Sequence, residues 1–322
     1  MFKNKTIFIT GAGSIGEGIL NQLQQYNVHS IRVFDNSELK LHDLKQKYKD
    51  SKKKVKYIFG DIRDKDRLKV AMREVDIVFH TAAMKHVGFC EDNPIDAVIT
   101  NVFGTQNIID VSIEENIEKV INISTDKSTS PINVMGATKL LSERMMVSAS
   151  HYKGKCRTIF TTVRFGNVFD SSGSVVPIFR KLIQENETLL ITDIEMTRFM
   201  MSIENAVKLV FKATELSKGE EIFVLKMPSI KIIDLANAMM QKYDRNVGLQ
   251  TIGVQTGEKI HETLITEEES KYAYENDEII VISPKDNYDY YTSKGFSKLP
   301  IGNITSDCNS ILSVDDIKEL LQ

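Results

Sequence analysis

Long apolar runs are missing from this 322-residue chain. No stretch approaches the roughly 20 residues that a bilayer-spanning helix needs. A secretory signal pattern is missing too, because Met1-Phe2-Lys3-Asn4-Lys5 leads straight into an apolar strand. Both absences lead us to expect a cytoplasmic protein with no membrane span. Cysteine is scarce. Cys90, Cys156 and Cys308 form no CxxC pair and no metal-ligand spacing, which excludes a disulfide framework and predicts buried free thiols and no metal. Positive charge is not in excess: 41 Lys and Arg stand against 44 Asp and Glu, a net charge of −3. No basic field for nucleic acid follows from that balance. The cluster Lys52-Lys53-Lys54 is short and reads as a solvated turn. Internal repeats and low-complexity linkers are also absent. The hydrophobic fraction, 42 %, suffices for a sizeable core in one large or two small domains.

The chain opens with the β-branched run Thr6-Ile7-Phe8-Ile9-Thr10, then Gly11-Ala12-Gly13-Ser14-Ile15-Gly16, then apolar residues at helical spacing. A strand, a glycine turn and a helix in this order read as a dinucleotide-binding fingerprint. Gly11 permits the tight turn, Gly13 lets backbone amides approach a pyrophosphate, and Gly16 permits close helix packing. The next strand, Ser30-Ile31-Arg32-Val33-Phe34, ends in Asp35. A carboxylate about 20 residues past the turn accepts adenine-ribose hydroxyls and repels a 2′-phosphate, which favours NAD over NADP. Capping of the helix near Ser37 is the competing role for Asp35. Arg32 is expected to point elsewhere.

Val55-Lys56-Tyr57-Ile58-Phe59 reads as a third strand, followed by Asp61 and Ile62 where an adenine ring would lie. Asp76-Ile77-Val78-Phe79-His80 reads as a fourth, ending in Thr81-Ala82-Ala83-Met84-Lys85-His86. The small residues Ala82 and Ala83 let a dinucleotide lie against the backbone. Lys85 can reach a phosphate or substrate, and His86 reads as a packed loop residue. Asn93-Pro94 starts a long helix containing Asn101-Val102-Phe103-Gly104-Thr105. Regular strand–helix alternation predicts an α/β fold with a doubly wound parallel sheet.

At the centre lies Ser124-Thr125-Asp126-Lys127, after the Val/Ile-rich strand 118–123. Pro131 sits where a first helical turn can begin, and the run 139–146 reads as a helix. Met135 and Lys139 are then stacked on one helical face. An acid, an amine and a second lysine at the carboxyl edge of a parallel sheet suit proton transfer to a bound ligand. The bland alternative is a capping Asp126-Lys127 pair and a solvated Lys139.

Another strand, 158–165, runs into the polar loop 166–177, where Asn167 and the amides near Ser174 and Val175 suit an anionic or hydroxylated ligand. Arg198, in Met196-Thr197-Arg198-Phe199-Met200, is a candidate phosphate-binding residue. Glu258, in Thr256-Gly257-Glu258-Lys259, can grip ribose hydroxyls. Residues 221–225 read as a strand and 232–242 as a helix. The expected division is a nucleotide-binding portion over 1–167 and a smaller, mostly substrate-binding portion over 168–322, with segments around 200–226 returning to the main sheet. The methionines read as core filling. Beyond residue 270 the pattern fades, and Tyr288, Tyr290 and Tyr291 sit in a polar tail with no assignable element.

Taken in order from about residue 6 to about residue 265, these segments resemble the extended short-chain dehydrogenase/reductase superfamily, a Rossmann fold. More narrowly, they resemble its nucleotide-sugar 4,6-dehydratases of the polysaccharide-biosynthesis type. The resemblance implies a UDP-N-acetylglucosamine substrate, oxidised at C4 by tightly held NAD, with water lost across C5 and C6 and hydride returned at C6. It implies that Lys127 is the base at C5, Asp126 the acid at the departing hydroxyl, Thr125 a hydrogen-bond partner of the sugar O4, and Lys139 the holder of the nicotinamide ribose. Cofactor contacts are implied for Gly11, Gly13, Ser14, Ile15, Gly16, Asp35, Asp61, Ile62, Ala82, Ala83, Lys85, Asn101 and Lys139. Substrate contacts are implied for Lys85, Asn167, Ser174, Val175, Arg198 and Glu258. Members usually assemble as homo-oligomers. Two departures stand out. Met135 replaces the superfamily's tyrosine, as in membrane-anchored dehydratases of this group, and the glycine turn is one residue shorter than the usual GxxGxxG. A nucleotide-sugar epimerase and a non-catalytic dinucleotide sensor remain the alternatives.

Overall fold

The β-branched and aromatic runs of the first half form strands that are apolar on both faces. In the computed structural model, which describes residues 1–283 and 287–321, these are β1 (Thr6–Thr10), β2 (Ser30–Asp35), β3 (Val55–Phe59), β4 (Ile77–His80), β5 (Lys119–Thr125) and β6 (Ile159–Phe165). Between them run α1 (Ser14–Leu23), α2 (Glu38–Lys47), α3 (Lys65–Met72), α4 (Val87–Asp92), α5 (Pro94–Val98), α6 (Gly104–Glu114) and α7 (Val134–Tyr152). The strands are parallel in the order β3-β2-β1-β4-β5-β6. This is the Rossmann arrangement, with its ligand crevice at the carboxyl edge where the order reverses between β1 and β4. Alternate residues of β1 feed two cores: Ile7 and Ile9 join one cluster, while Phe8 joins another with Val78, Val120 and Phe160.

The sheet does not stop at β6. Strand Ile222–Leu225 lies parallel beside it, and helix Ile203–Leu216 packs on α1. The tail beyond residue 270, which has no legible pattern in the sequence, adds three antiparallel strands. Ile279–Ile282 pairs with Ile222–Leu225, Ala273–Glu275 follows, and Ser297–Lys298 forms the edge. Each is only two to four residues long, too short for a period to show. Tyr291, in that tail, is fully buried against Glu221. A smaller lobe is built on strand Thr197–Met201, flanked by Asn167–Val168 and Ser229–Lys231. It has its own core of Val176, Phe179, Ile230 and Leu235.

Three local expectations are corrected. Helix α7 does not begin at Pro131. Its cap is Asn133, whose Oδ1 accepts from the Gly136 amide at 2.7 Å. The long helix from Pro94 is broken by a π-helical turn at Ile99–Phe103. Of the cysteines only Cys90 is buried; Cys156 is half-buried and Cys308 exposed. No helix among the described residues is long and apolar enough to cross a membrane.

Candidate active site

The glycine turn closes on the loop after β4. Gly11 has φ +88°, and a Cβ there would lie 2.8 Å from Thr81 Oγ1 and 2.9 Å from the Ala82 amide. A Cβ on Gly16 would lie 1.9 Å from the Gly11 carbonyl, so the helix can pass the turn only without a side chain. Around Gly13 a Cβ would meet nothing within 4 Å, and α1 has no side-chain cap. Open space therefore lies over an uncapped helix N-terminus. Asp35 reaches into this turn, accepting from the Ala12 amide at 2.6 Å and the Ser37 amide at 2.7 Å. It does not cap α2, since that role falls to Ser37. Arg32 does point elsewhere, to the carbonyls of Ala71 and Arg73.

Other residues expected at the cofactor are held as follows. Ser14 Oγ accepts from the Ser172 amide at 3.1 Å and Lys85 Nζ donates to the Ser172 carbonyl at 2.6 Å, so the 170–174 segment straps the turn to the β4 loop. Ile15 and Ala83 are half-buried. Asp61 is engaged by Arg63 and Asn36, and Ile62 is buried in the core. Asn101 is bonded within the protein. Sitting in the π-helical turn, it accepts from the Met84 amide at 2.8 Å and donates to the Met84 carbonyl and Thr138 Oγ1 at 3.0 Å each. Its side chain clamps the 81–86 loop, a use of π-turns that no residue pattern announces.

At the carboxyl end of β5 the chain makes a single 3₁₀ turn, Asp126–Ser128, capped by Thr125. Asp126 is fully buried. Its Oδ1 accepts from Thr125 Oγ1 and from Lys127 Nζ, both at 2.9 Å, while its Oδ2 has no hydrogen-bond partner among the described residues. Lys127 also donates to Asn167 Oδ1 at 3.1 Å. Asn167 therefore orients the lysine, a contact the sequence reading did not foresee. Burial alone would push the Lys127 pKa down; the Asp126 carboxylate, helped by Glu262, outweighs it and holds the ammonium above its ordinary range.

From α7, Met135 and Lys139 face the same edge, as their spacing predicts. Met135 is buried with Cys90 and Ala97. Lys139 donates to the Ile123 carbonyl at 2.6 Å, and burial brings its pKa down to about 8. His80, on β4, is bonded to Thr10 and Thr105. Burial, helped by Lys139, brings its pKa down to about 3, so it stays neutral.

The family model for polysaccharide biosynthesis proteins matches residues 7–284. This chain belongs to that family. UDP-N-acetylglucosamine 4,6-dehydratase (inverting) of Campylobacter jejuni is 43 % identical, over 88 % of this chain and 84 % of its own. An uncharacterised membrane protein of Methanocaldococcus jannaschii is 48 % identical, over 91 % of this chain and 92 % of its own. The X-ray structure of Pen from Bacillus thuringiensis, 41 % identical, superposes with a TM-score of 0.94 over all of this chain and 98 % of its own.

In this member of the polysaccharide biosynthesis family, the second lobe reaches the Asp126–Lys127 pair through residues for which the sequence offers little signal. Glu262, 2 % exposed, places Oε1 3.4 Å from Lys127 Nζ, and Lys259 lies beside it at 4.0 Å. Arg198, expected free for a phosphate, is 7 % exposed. Its guanidinium donates to the carbonyls of Thr197, Lys259 and Ile260, so it first of all ties strand Thr197–Met201 to the 259–262 segment. Glu258 accepts from Thr192 Oγ1 at 3.0 Å. Ser174 and Val175 begin helix Val175–Gln184. Behind the cluster, fully buried Arg164 is gripped by Glu143 from α7 and by Glu269 from helix Glu267–Ser270. Ser128 Oγ lies 2.7 Å from Glu143 Oε1 and 2.6 Å from the Thr125 carbonyl, connecting that ion triad to the Asp126–Ser128 turn. The sequence signal for Glu262 is weak: one carboxylate four residues after Glu258 in a polar segment.

Proposed function

We propose that this chain is an NAD-dependent nucleotide-sugar 4,6-dehydratase acting on UDP-N-acetylglucosamine, with a UDP-4-keto-6-deoxy amino sugar as product. The observation that carries this reading is the buried contact of 2.9 Å between Asp126 and Lys127 at the carboxyl end of β5. An epimerase that only inverts C4 has no use for an acid–amine couple. The similarity to the Campylobacter dehydratase supports both the reaction and the UDP-amino-sugar substrate.

The open space over Gly13 and the uncapped α1 terminus fit a dinucleotide. Gly11, Gly13, Ser14, Ile15 and Gly16 would hold its pyrophosphate, Asp35 its adenine ribose, Asp61 and Ile62 its adenine, Ala82 and Ala83 its flank, and Lys139 its nicotinamide ribose. Bound there, NAD supplies the oxidation at C4 and the later return of hydride at C6. Arg198, Glu258, Ser174, Val175 and Lys85 would surround the uridine diphosphate.

The O4 proton has to leave during oxidation, and the Met135 thioether cannot accept it. Thr125 hydroxyl, already donating to Asp126, passes that proton to the carboxylate. Asp126 then gives it to the C6 oxygen, which leaves as water. Lys127 removes the C5 proton, made acidic by the 4-keto group, as the C5–C6 double bond forms.

The test is to incubate the purified protein with NAD and UDP-N-acetylglucosamine deuterated at C4 and to follow the product by NMR. Loss of water with deuterium at C6 is expected. Unchanged mass with an inverted ring centre would make it an epimerase, and no turnover would leave a dinucleotide sensor.

A further inference from the structure

Lys127 can remove the C5 proton only as a neutral amine, yet in this structure it is an ammonium surrounded by three acceptors: Asp126, Asn167 and Glu262. Asp126 cannot take the lysine's proton, because it is already holding the one from O4. Two protons therefore need two acceptors before dehydration, and the reading above names one. On that reading of the reaction, we propose that Glu262 is the second acceptor: it takes the Lys127 ammonium proton across the 3.4 Å contact, holds it while Lys127 works at C5, and returns it afterwards.

The balance closes. Count from a resting state with one proton on Lys127 and none on Asp126 or Glu262. Oxidation moves the O4 proton to Asp126, and Lys127 passes its proton to Glu262. Neutral Lys127 then takes the C5 proton while Asp126 protonates the departing hydroxyl. When C5 is reprotonated from Lys127, Glu262 hands its proton back and the resting charges return. If C5 is instead reprotonated on the opposite face by another donor, Lys127 keeps the C5 proton and Glu262 releases its proton to solvent, so the same three groups still reset.

Three features suit Glu262 to this work. It is 2 % exposed, and burial is the leading influence holding its carboxyl above the ordinary range, with the Lys127 ammonium acting the other way, so it takes a proton more readily than a surface carboxylate does. Its Oε2 is buried with no hydrogen-bond partner among the described residues. Its backbone is pinned, the amide accepted by Ser306 Oγ and the carbonyl accepting from the Ser306 amide, each at 2.9 Å. The transfer is triggered by the step before it. Asp126 is the leading influence holding Lys127 charged against burial, and that hold ends when Asp126 is protonated. The other charged or titratable groups around Glu262 are Lys259 and His261 from its own segment and Arg198 from strand Thr197–Met201. None of them is a carboxylate that could substitute for it.

The experiment is a pH profile of kcat for the holoenzyme and for Glu262→Gln, with bound NAD and thermal stability measured alongside. Without the acceptor, Lys127 must lose its proton to solvent. We expect kcat to fall about 10²- to 10⁴-fold near pH 7 and then to climb about tenfold per pH unit, where the wild type is flat. Glu262→Asp restores the flat profile and part of the rate. A Gln variant that is slow at every pH without the added slope, or as fast as wild type, overturns the proposal. If the Gln variant does not fold, Glu262→Asp is read alone: a flat profile at reduced rate is expected, and the steep slope appearing in a folded Asp variant overturns the proposal. A wild-type protein that never dehydrates the sugar removes the reaction itself, a different failure from an active wild type with an unmoved variant.

Discussion

Residue by residue, the site is a problem of placing charges where water is scarce. Lys127 survives there because Asp126 and Glu262 face it. Removing its amine should stop the reaction without disturbing the nucleotide crevice, which lies at the glycine turn. Lys127→Ala is expected to abolish dehydration while bound NAD stays at the wild-type level; activity within a few-fold of wild type would exclude Lys127 as the C5 base. Lys139 is a different case. Burial lowers its pKa to about 8 against 10.5 in the unfolded chain. Between those values the unfolded state binds more protons, so stability from this group rises with pH through that window. Below pH 8 the folded protein carries the full cost of a buried ammonium, about 3 kcal/mol. Lys139→Met should therefore raise the unfolding free energy at pH 7 by about 1–2 kcal/mol, after loss of the bond to Ile123. That advantage should fade towards pH 10, and activity should be lost. A chemical-denaturation series across pH checks both signs.

The glycine turn and the α7 register show what elements contribute. Gly13 and Gly16 look alike in the sequence but sit in opposite surroundings. Gly16→Ala puts a Cβ 1.9 Å from a carbonyl and should cost folding stability outright. Gly13→Ala meets nothing and should leave the melting temperature within about 1 °C of wild type, while weakening NAD binding tenfold or more. Equal NAD affinity would show that no ligand approaches that turn. The Arg164 triad fastens α7 to β6 and to helix Glu267–Ser270. Glu143→Ala leaves a fully buried guanidinium half-paired and is expected to cost about 3–5 kcal/mol in urea unfolding. A loss under 1 kcal/mol would mean that the buried pair can relax. The helix spanning Met135 and Lys139 was legible because its spacing is local. The π-turn was not, because it exists to bring Asn101 onto Met84, a contact between two separate elements.

Across the whole molecule, the tail completes the site as well as the sheet. It supplies three antiparallel strands and the Ser306 clamp on Glu262, and helix Glu267–Ser270 just before it supplies the Glu269 carboxylate on Arg164. Removing residues 267–322 exposes strand Ile222–Leu225 as an unpaired edge and should give insoluble protein; a soluble product with a cooperative unfolding transition would overturn that. The alternating βα pattern, the glycine turn, Asp35 at a strand end and the Asp126-Lys127 couple were all determined by the sequence alone, because each is a short-range arrangement of backbone preference and periodicity. Only the tertiary structure decided that Glu262 meets Lys127, that Asn167 shares that lysine, that Arg198 is tied to backbone carbonyls, and that the patternless tail seals the sheet. These depend on which surfaces meet once distant segments pack, and burial, which sets the protonation of every group in the site, exists only after they do.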